Sequence, residues 1–127
     1  MKIEVSTGEV IDKWTILAIK SEKIKDPAKL SNVFAEKHSL EQELGRLMVT
    51  FADDIQQLQD VNSQLWDVED ILRIKERDSQ FNAEFIELAR KVYILNDRRA
   101  NIKKRINLAS GSVFVEEKQY VNYGSTT

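Results

Sequence analysis

The chain has 127 residues, 42% hydrophobic and 31% charged, with 19 basic side chains against 21 acidic and a formal charge of -2. That length and apolar content suit a single core, and the near balance of charge excludes the strong positive field that nucleic acid or an anionic membrane would select. The absence of cysteine excludes a disulfide framework, a thiolate nucleophile and a zinc–thiolate site, and no stretch nears the roughly 20 apolar residues that span a bilayer.

The first regular pattern is Ile3 and Val5 alternating with Lys2 and Glu4, which suits a short strand. Ser6 and Glu9 then match a capping box, so a first helix is expected over about residues 8–25. Asp26-Pro27 stops that helix and opens a second, over 27–50, because proline suits a first helical turn and disfavours helix in the residue before it. Its apolar stripe is Leu30, Val33, Leu40, Leu44, Leu47 and Phe51, and Gly45 is expected to weaken the helix without ending it. From Gly45 to Gly111 the chain contains no other glycine and no proline. Asp53 or Asp54 caps a third helix over 54–77, whose seam Leu58, Val61, Leu65, Val68 and Leu72 keeps heptad spacing. Asp78, Ser79 and Asn82 mark a break. A fourth helix over 82–110 carries Phe85, Leu88, Val92, Leu95, Ile102 and Ile106, and Ser110-Gly111 offers a left-handed cap. The arm over 112–123 has strand-like residues from Val113 to Val115 and could pair with Ile3 to Val5, and Gly124 to Thr127 should fray. The expected architecture is one all-α domain over residues 1–127, an antiparallel bundle of about four long helices with coiled-coil-like packing and short extended segments at both ends.

Two departures from clean patterning carry most of the functional information. Stepping the first helix at about 100° per residue puts Val10, Trp14, Leu17 and Ile24 on one face and Ile16 and Ile19 nearly opposite. A helix with two apolar faces lies in the middle of a bundle or contributes to a subunit interface. The second case predicts a homodimer using Trp14, Ile16 and Ile19, and the first has the rest of the same chain cover them. The other departure is Arg99, at the seam position between Leu95 and Ile102 where an apolar side chain belongs. Its guanidinium cannot be neutralised, so burial calls for a carboxylate, and Asp12, Glu69 and Glu76 are the available partners. Two roles stay open: fixing helix register, or binding an anion. The second role defines a candidate ligand-binding set, Asp12, Lys13, Glu69, Asn96 and Arg99, around an internal polar pocket.

Other groupings carry less. Arg98, Lys103, Lys104 and Arg105 spread around a helical cylinder near its C-terminus, where cations complement the dipole, and read as a solvated face. His38, the only histidine, falls off its helix's stripe and is expected to be exposed. Asp67-x-x-Asp70 and Glu84-x-x-Glu87 resemble the paired acidic motifs of all-helical, magnesium-dependent nucleoside-triphosphate pyrophosphohydrolases, but the motif order differs and the carboxylates point largely away from the seams. Trp66 lies off the main seam and reads as core or interface packing. No catalytic residue, resident metal or cofactor is expected.

The run from Gly8 to Leu17 that contains Asp12-Lys13-Trp14, with Leu65-Trp66-Asp67-Val68-Glu69-Asp70, Phe85 to Ala89, Asn96 to Lys103 and Glu116-Glu117-Lys118, resembles an uncharacterised family of small proteins of bacteria and of tailed phages of marine bacteria. The cysteine-free composition and the lack of an apolar h-region near Met1 or of a bilayer-length apolar stretch lead to the expectation of a cytoplasmic location, the host cytoplasm for a phage member. The resemblance implies a helical domain and a loose association of bacterial members with surface-polysaccharide genes. It implies no reaction, and Trp14 stands where a smaller aliphatic residue is usual. The leading expectation is an interaction or accessory protein that is not an enzyme, a helical homodimer with a possible protein partner in phage or cell-envelope metabolism. The competing one is a small-ligand-binding module or enzyme built on the polar pocket.

Overall fold

In the computed structural model residues 1–124 are described, and the fraying expected of Ser125 to Thr127 lies outside them. The described chain forms five helices: α1 (Thr7–Lys23), α2 (Pro27–Leu44), α3 (Leu47–Thr50), α4 (Ala52–Arg77) and α5 (Ala83–Ser110). Each long helix begins or ends for a local reason. The Ser6 hydroxyl accepts from the Glu9 N–H, the Asp26 carboxylate from Lys29 and the Asn82 amide oxygen from Phe85, which satisfies one orphan donor at each N-terminus. Glu9 does not complete the expected capping box, because its carboxylate is engaged by Lys103 on α5 at 2.8 Å. At the other end of the chain, Gly111 closes α5 in the left-handed conformation, with φ of 68°.

The second expected helix divides in two. Gly45 has φ of 50°, a backbone state that side chains resist, so α2 stops at Leu44 and a single turn, α3, carries the chain to Phe51. Asp53 and Asp54 lie inside the first turn of α4 and favour its dipole, while the cap position itself falls to Phe51 without a side-chain bond. Among the described residues there is no strand, and the pairing expected between Ile3–Val5 and Val113–Val115 does not occur. The ends meet through side chains instead: the Thr7 N–H donates to Ser112 Oγ at 2.9 Å, and that hydroxyl donates to Thr7 Oγ1 at 3.0 Å.

The helices pack around α1. It touches α2, α4 and α5, whereas α2 touches only α1 and α3. Asp54 with Arg105 and Lys75 with Glu84 pin α4 antiparallel to α5. Gly8 against Asn107 and Asp12 against Arg99 set α1 antiparallel to α5. The two apolar faces of α1 follow from this central position. Ile11, Leu17 and Ile19 are all at most 3% exposed, and Trp14 lies under Lys37 of α2, whose ammonium is 5.2 Å from the ring centre. The heptad seams fill the core, with Leu58 and Ile106 fully covered. At 1.5 Å per residue α4 and α5 run to about 40 Å against about 26 Å for α1, so the free end of their hairpin projects past it. Ile71, Ile74, Phe81 and Ile86 on that end are 39–58% exposed.

Candidate functional site

One carboxylate organises the polar centre. Asp12 lies on the inner face of α1 and is 1% exposed, where an unpaired charge would be costly. Arg99 of α5 donates to both its oxygens, Nε to Oδ1 at 2.9 Å and Nη2 to Oδ2 at 2.5 Å, a bidentate pair. The Asn62 amide of α4 donates to Asp12 Oδ1 and to Thr15 Oγ1, both at 2.9 Å, and the Thr15 hydroxyl donates to the Asp12 carbonyl at 2.7 Å. Three helices thus meet at one satisfied network. The hydrogen bonds to Asp12 raise the Arg99 guanidinium above its ordinary pKa, overcoming an opposing effect of burial. The pair engages Nε and Nη2 and does not involve Nη1.

Outside Arg99 lies a cleft of about 390 Å³ between α5 and the arm that follows it, also bounded by Glu9, Asn96, Lys103, Glu116, Lys118 and Tyr120. The arm is positioned by its ends. Ser112 ties it to Thr7, and at the far end the Tyr123 hydroxyl donates to Asp97 while its ring meets Tyr93 edge-on at 5.0 Å. Between these, Glu116 accepts from Lys118 at 2.5 Å and faces Lys103 at 3.5 Å. Lys118 and, more weakly, Lys103 hold the Glu116 carboxyl below the usual carboxylate range, and Glu116 in turn raises Lys118. Lys103 is only 12% exposed and also pairs with Glu9, so the solvated face expected for the cluster of Arg98, Lys103, Lys104 and Arg105 holds for three members and fails for this one.

Of the expected ligand-binding set, the structure brings Asp12, Asn96 and Arg99 to this region. Lys13 points the other way and pairs with Glu36 of α2 at 3.3 Å. Glu69 is exposed on α4 and does not line the cleft. Of the residues expected at a subunit interface, Ile19 is 2% exposed within the single chain, and Trp14 and Ile16 are half-buried. The four acidic residues of the pyrophosphohydrolase-like pattern do not share a centre: Asp67 faces Lys23, Glu84 faces Lys75 and Glu87 accepts from Arg90. No group of three metal-ligating side chains forms among the described residues. Asn62 and Asn107 were not singled out by pattern, and Lys103 was read only as part of a solvated charge cluster. Asn62 and Lys103 each sit one position after a seam residue, Val61 and Ile102, and that adjacency is the only signal for them.

No helix among the described residues is long and apolar enough to cross a membrane. A family model described as a family of unknown function (DUF6165) matches residues 1–127. No curated protein and no solved structure matches the chain.

Proposed function

The chain belongs to this family of unknown function, and from the cleft itself we propose that it is a small-ligand-binding module that takes a polar anion between α5 and the C-terminal arm. The carrying observation is Arg99, locked from behind by the buried Asp12 carboxylate and opening on a cleft that also holds Lys103 and Lys118. A guanidinium held in one orientation has already lost its rotamer freedom, so an incoming carboxylate or phosphate meets a donor that needs no reordering. Lys118 sits on an exposed arm and can leave Glu116 for the ligand at small cost, as exposed ion pairs are worth little. Titration calorimetry with inorganic phosphate tests the reading: heat of binding on the full chain, weakened in Lys118→Ala, supports it, and no binding at tens of millimolar removes it.

A second reading is favoured by a different observation. The apolar side chains at the free end of the α4–α5 hairpin suit an accessory protein that acts by association with a second copy of itself, in the phage or cell-envelope setting that the sequence resemblance implies. Light scattering on the chain and on Ile74→Lys distinguishes a dimer that uses this end from a monomer.

A further inference from the structure

A second cleft, of about 370 Å³, adjoins the charged one and shares Asn96 and Tyr120 with it. Its walls are unlike those of its neighbour. Tyr93, Tyr120, Tyr123 and Val121 present aromatic and apolar surface, and Asp97 sits among them, accepting from the Tyr123 hydroxyl. From this adjacency we propose that the ligand joins an anionic group, held by Arg99, Lys103 and Lys118, to a flat ring with an amino substituent, held among the tyrosines. The inference rests on the anion-binding reading above and names the class of molecule that reading leaves open.

The chemistry of each half supports the pairing. The charged cleft carries three cations and two carboxylates on its walls, and Asp12 behind Arg99 brings the total to balance. A bare anion must therefore compete with Glu9 and Glu116 for the same ammonium groups, and gains little from charge alone. Tyrosine rings, in contrast, offer stacking surface at low cost in side-chain freedom, and a planar ring fits them better than a flexible chain does. The polar atoms of the aromatic cleft set the ring's edge. Asp97 can only accept, so it matches an amino group on the ring, and the Asn96 amide, which both accepts and donates, matches a ring nitrogen beside that amino group where the ring carries one. Asn96 and Tyr120 stand at the junction, where a linker between the halves would pass. Each volume falls within the size range of small-molecule sites.

Two sources supply such a molecule, a nucleotide and an amino-aromatic acid. The test titrates the full chain with AMP, adenosine, inorganic phosphate, 4-aminobenzoate, aniline and acetate. The expected result is that AMP or 4-aminobenzoate binds at least about tenfold more tightly than either of its fragments, and which of the two does so identifies the source. Tyr120→Ala, at an exposed arm position, should remove that advantage, read as the ratio of joined-ligand to phosphate affinity, whereas Lys118→Ala should weaken phosphate and the joined ligand alike. If phosphate binds in a Lys118-dependent way but neither joined ligand exceeds it, the ring subsite is refuted and the anion site stands. If nothing anionic binds, both readings fall.

Discussion

The pair at the centre of the molecule should behave asymmetrically when its members are removed one at a time. Arg99→Met leaves the Asp12 carboxylate, whose side chain is 2% exposed, with Asn62 as its remaining hydrogen-bond donor and the Lys103 ammonium 3.9 Å away. Removing one partner of a buried pair in this way costs about 3–5 kcal/mol. Asp12→Ala leaves a guanidinium whose side chain is already 29% exposed and can turn to water, and Asn62 keeps the Thr15 hydroxyl as an acceptor. The loss is then of hydrogen bonds to a charged group with little stranded charge, about 1.5–3 kcal/mol. The double variant should be more stable than Arg99→Met alone, since it removes the stranded carboxylate. Urea unfolding followed by far-UV circular dichroism measures all three, with an unchanged denaturant slope showing that the same surface is exposed in each. The reasoning is refuted if Arg99→Met costs less than Asp12→Ala, or if the double variant is no more stable than Arg99→Met.

Three further outcomes follow from other positions. Gly8→Ala should destabilise by about 1–3 kcal/mol in the same urea assay, more than the helix-propensity gain of at most about 1 kcal/mol, because the added carbon would lie 2.7 Å from the Lys103 carbonyl oxygen and from Asn107 Oδ1. Leu58→Ala, at a fully covered site, should cost about 2–5 kcal/mol and lower the thermal midpoint accordingly. Docking of the arm should depend on pH in acid, and the contacts within the arm at both extremes. Glu116 titrates below its ordinary value, so its contribution is present above the usual carboxylate range and is lost as pH falls through the lowered value. Lys118 titrates above its ordinary value, so its contribution is present at neutral pH and is lost as pH rises through the raised one. With Lys103, Glu9 and Arg99 as the charges facing that pair, Lys103–Glu116 is the ion pair that joins the arm to α5. A fluorotyrosine label at Tyr123 read by ¹⁹F NMR should report the arm docked near neutrality and loosened in strong acid, while alkali removes only the Glu116–Lys118 contact within the arm.

The helical class was legible because Leu58, Val61, Leu65 and Val68 repeat at heptad spacing over a stretch without glycine or proline, and all are buried. Gly45 was misjudged for a specific reason: helix propensity prices a glycine at helical angles, and here the backbone takes a positive φ that ends the helix outright. Half of the polar centre was readable. An arginine on an apolar seam demands an acid, and Asp12 was among those within reach, but choosing it over Glu69 and Glu76 needed the rotation of α1 about its own axis, which its two apolar faces leave undetermined. Lys103 was misread because charge clusters are usually wet, whereas here it pairs with Glu9 on α1 and with Glu116 on an arm whose route over α5 is set by side-chain contacts at Ser112 and Tyr123. A β-like composition in that arm pointed to a ladder with Ile3 to Val5, yet Ile3 is 75% and Val113 73% exposed, so neither segment has a buried face to fix a register.

The placement of α1 has a consequence for how the molecule comes into being. Its main-chain nitrogen at Gly8 waits for a side chain 99 positions later, and Asp12 for one 87 positions later. During synthesis α1 and α2 emerge together, and only the face turned toward α2 finds its match at once. The other face, with Ile11 and Ile19, stays uncovered until α4 and α5 have cleared the ribosome, so the nascent chain spends most of its elongation displaying a sticky stripe. A factor that shields such stripes during translation should therefore raise the yield of native protein, and should do so less when α1 is moved by circular permutation to follow α5.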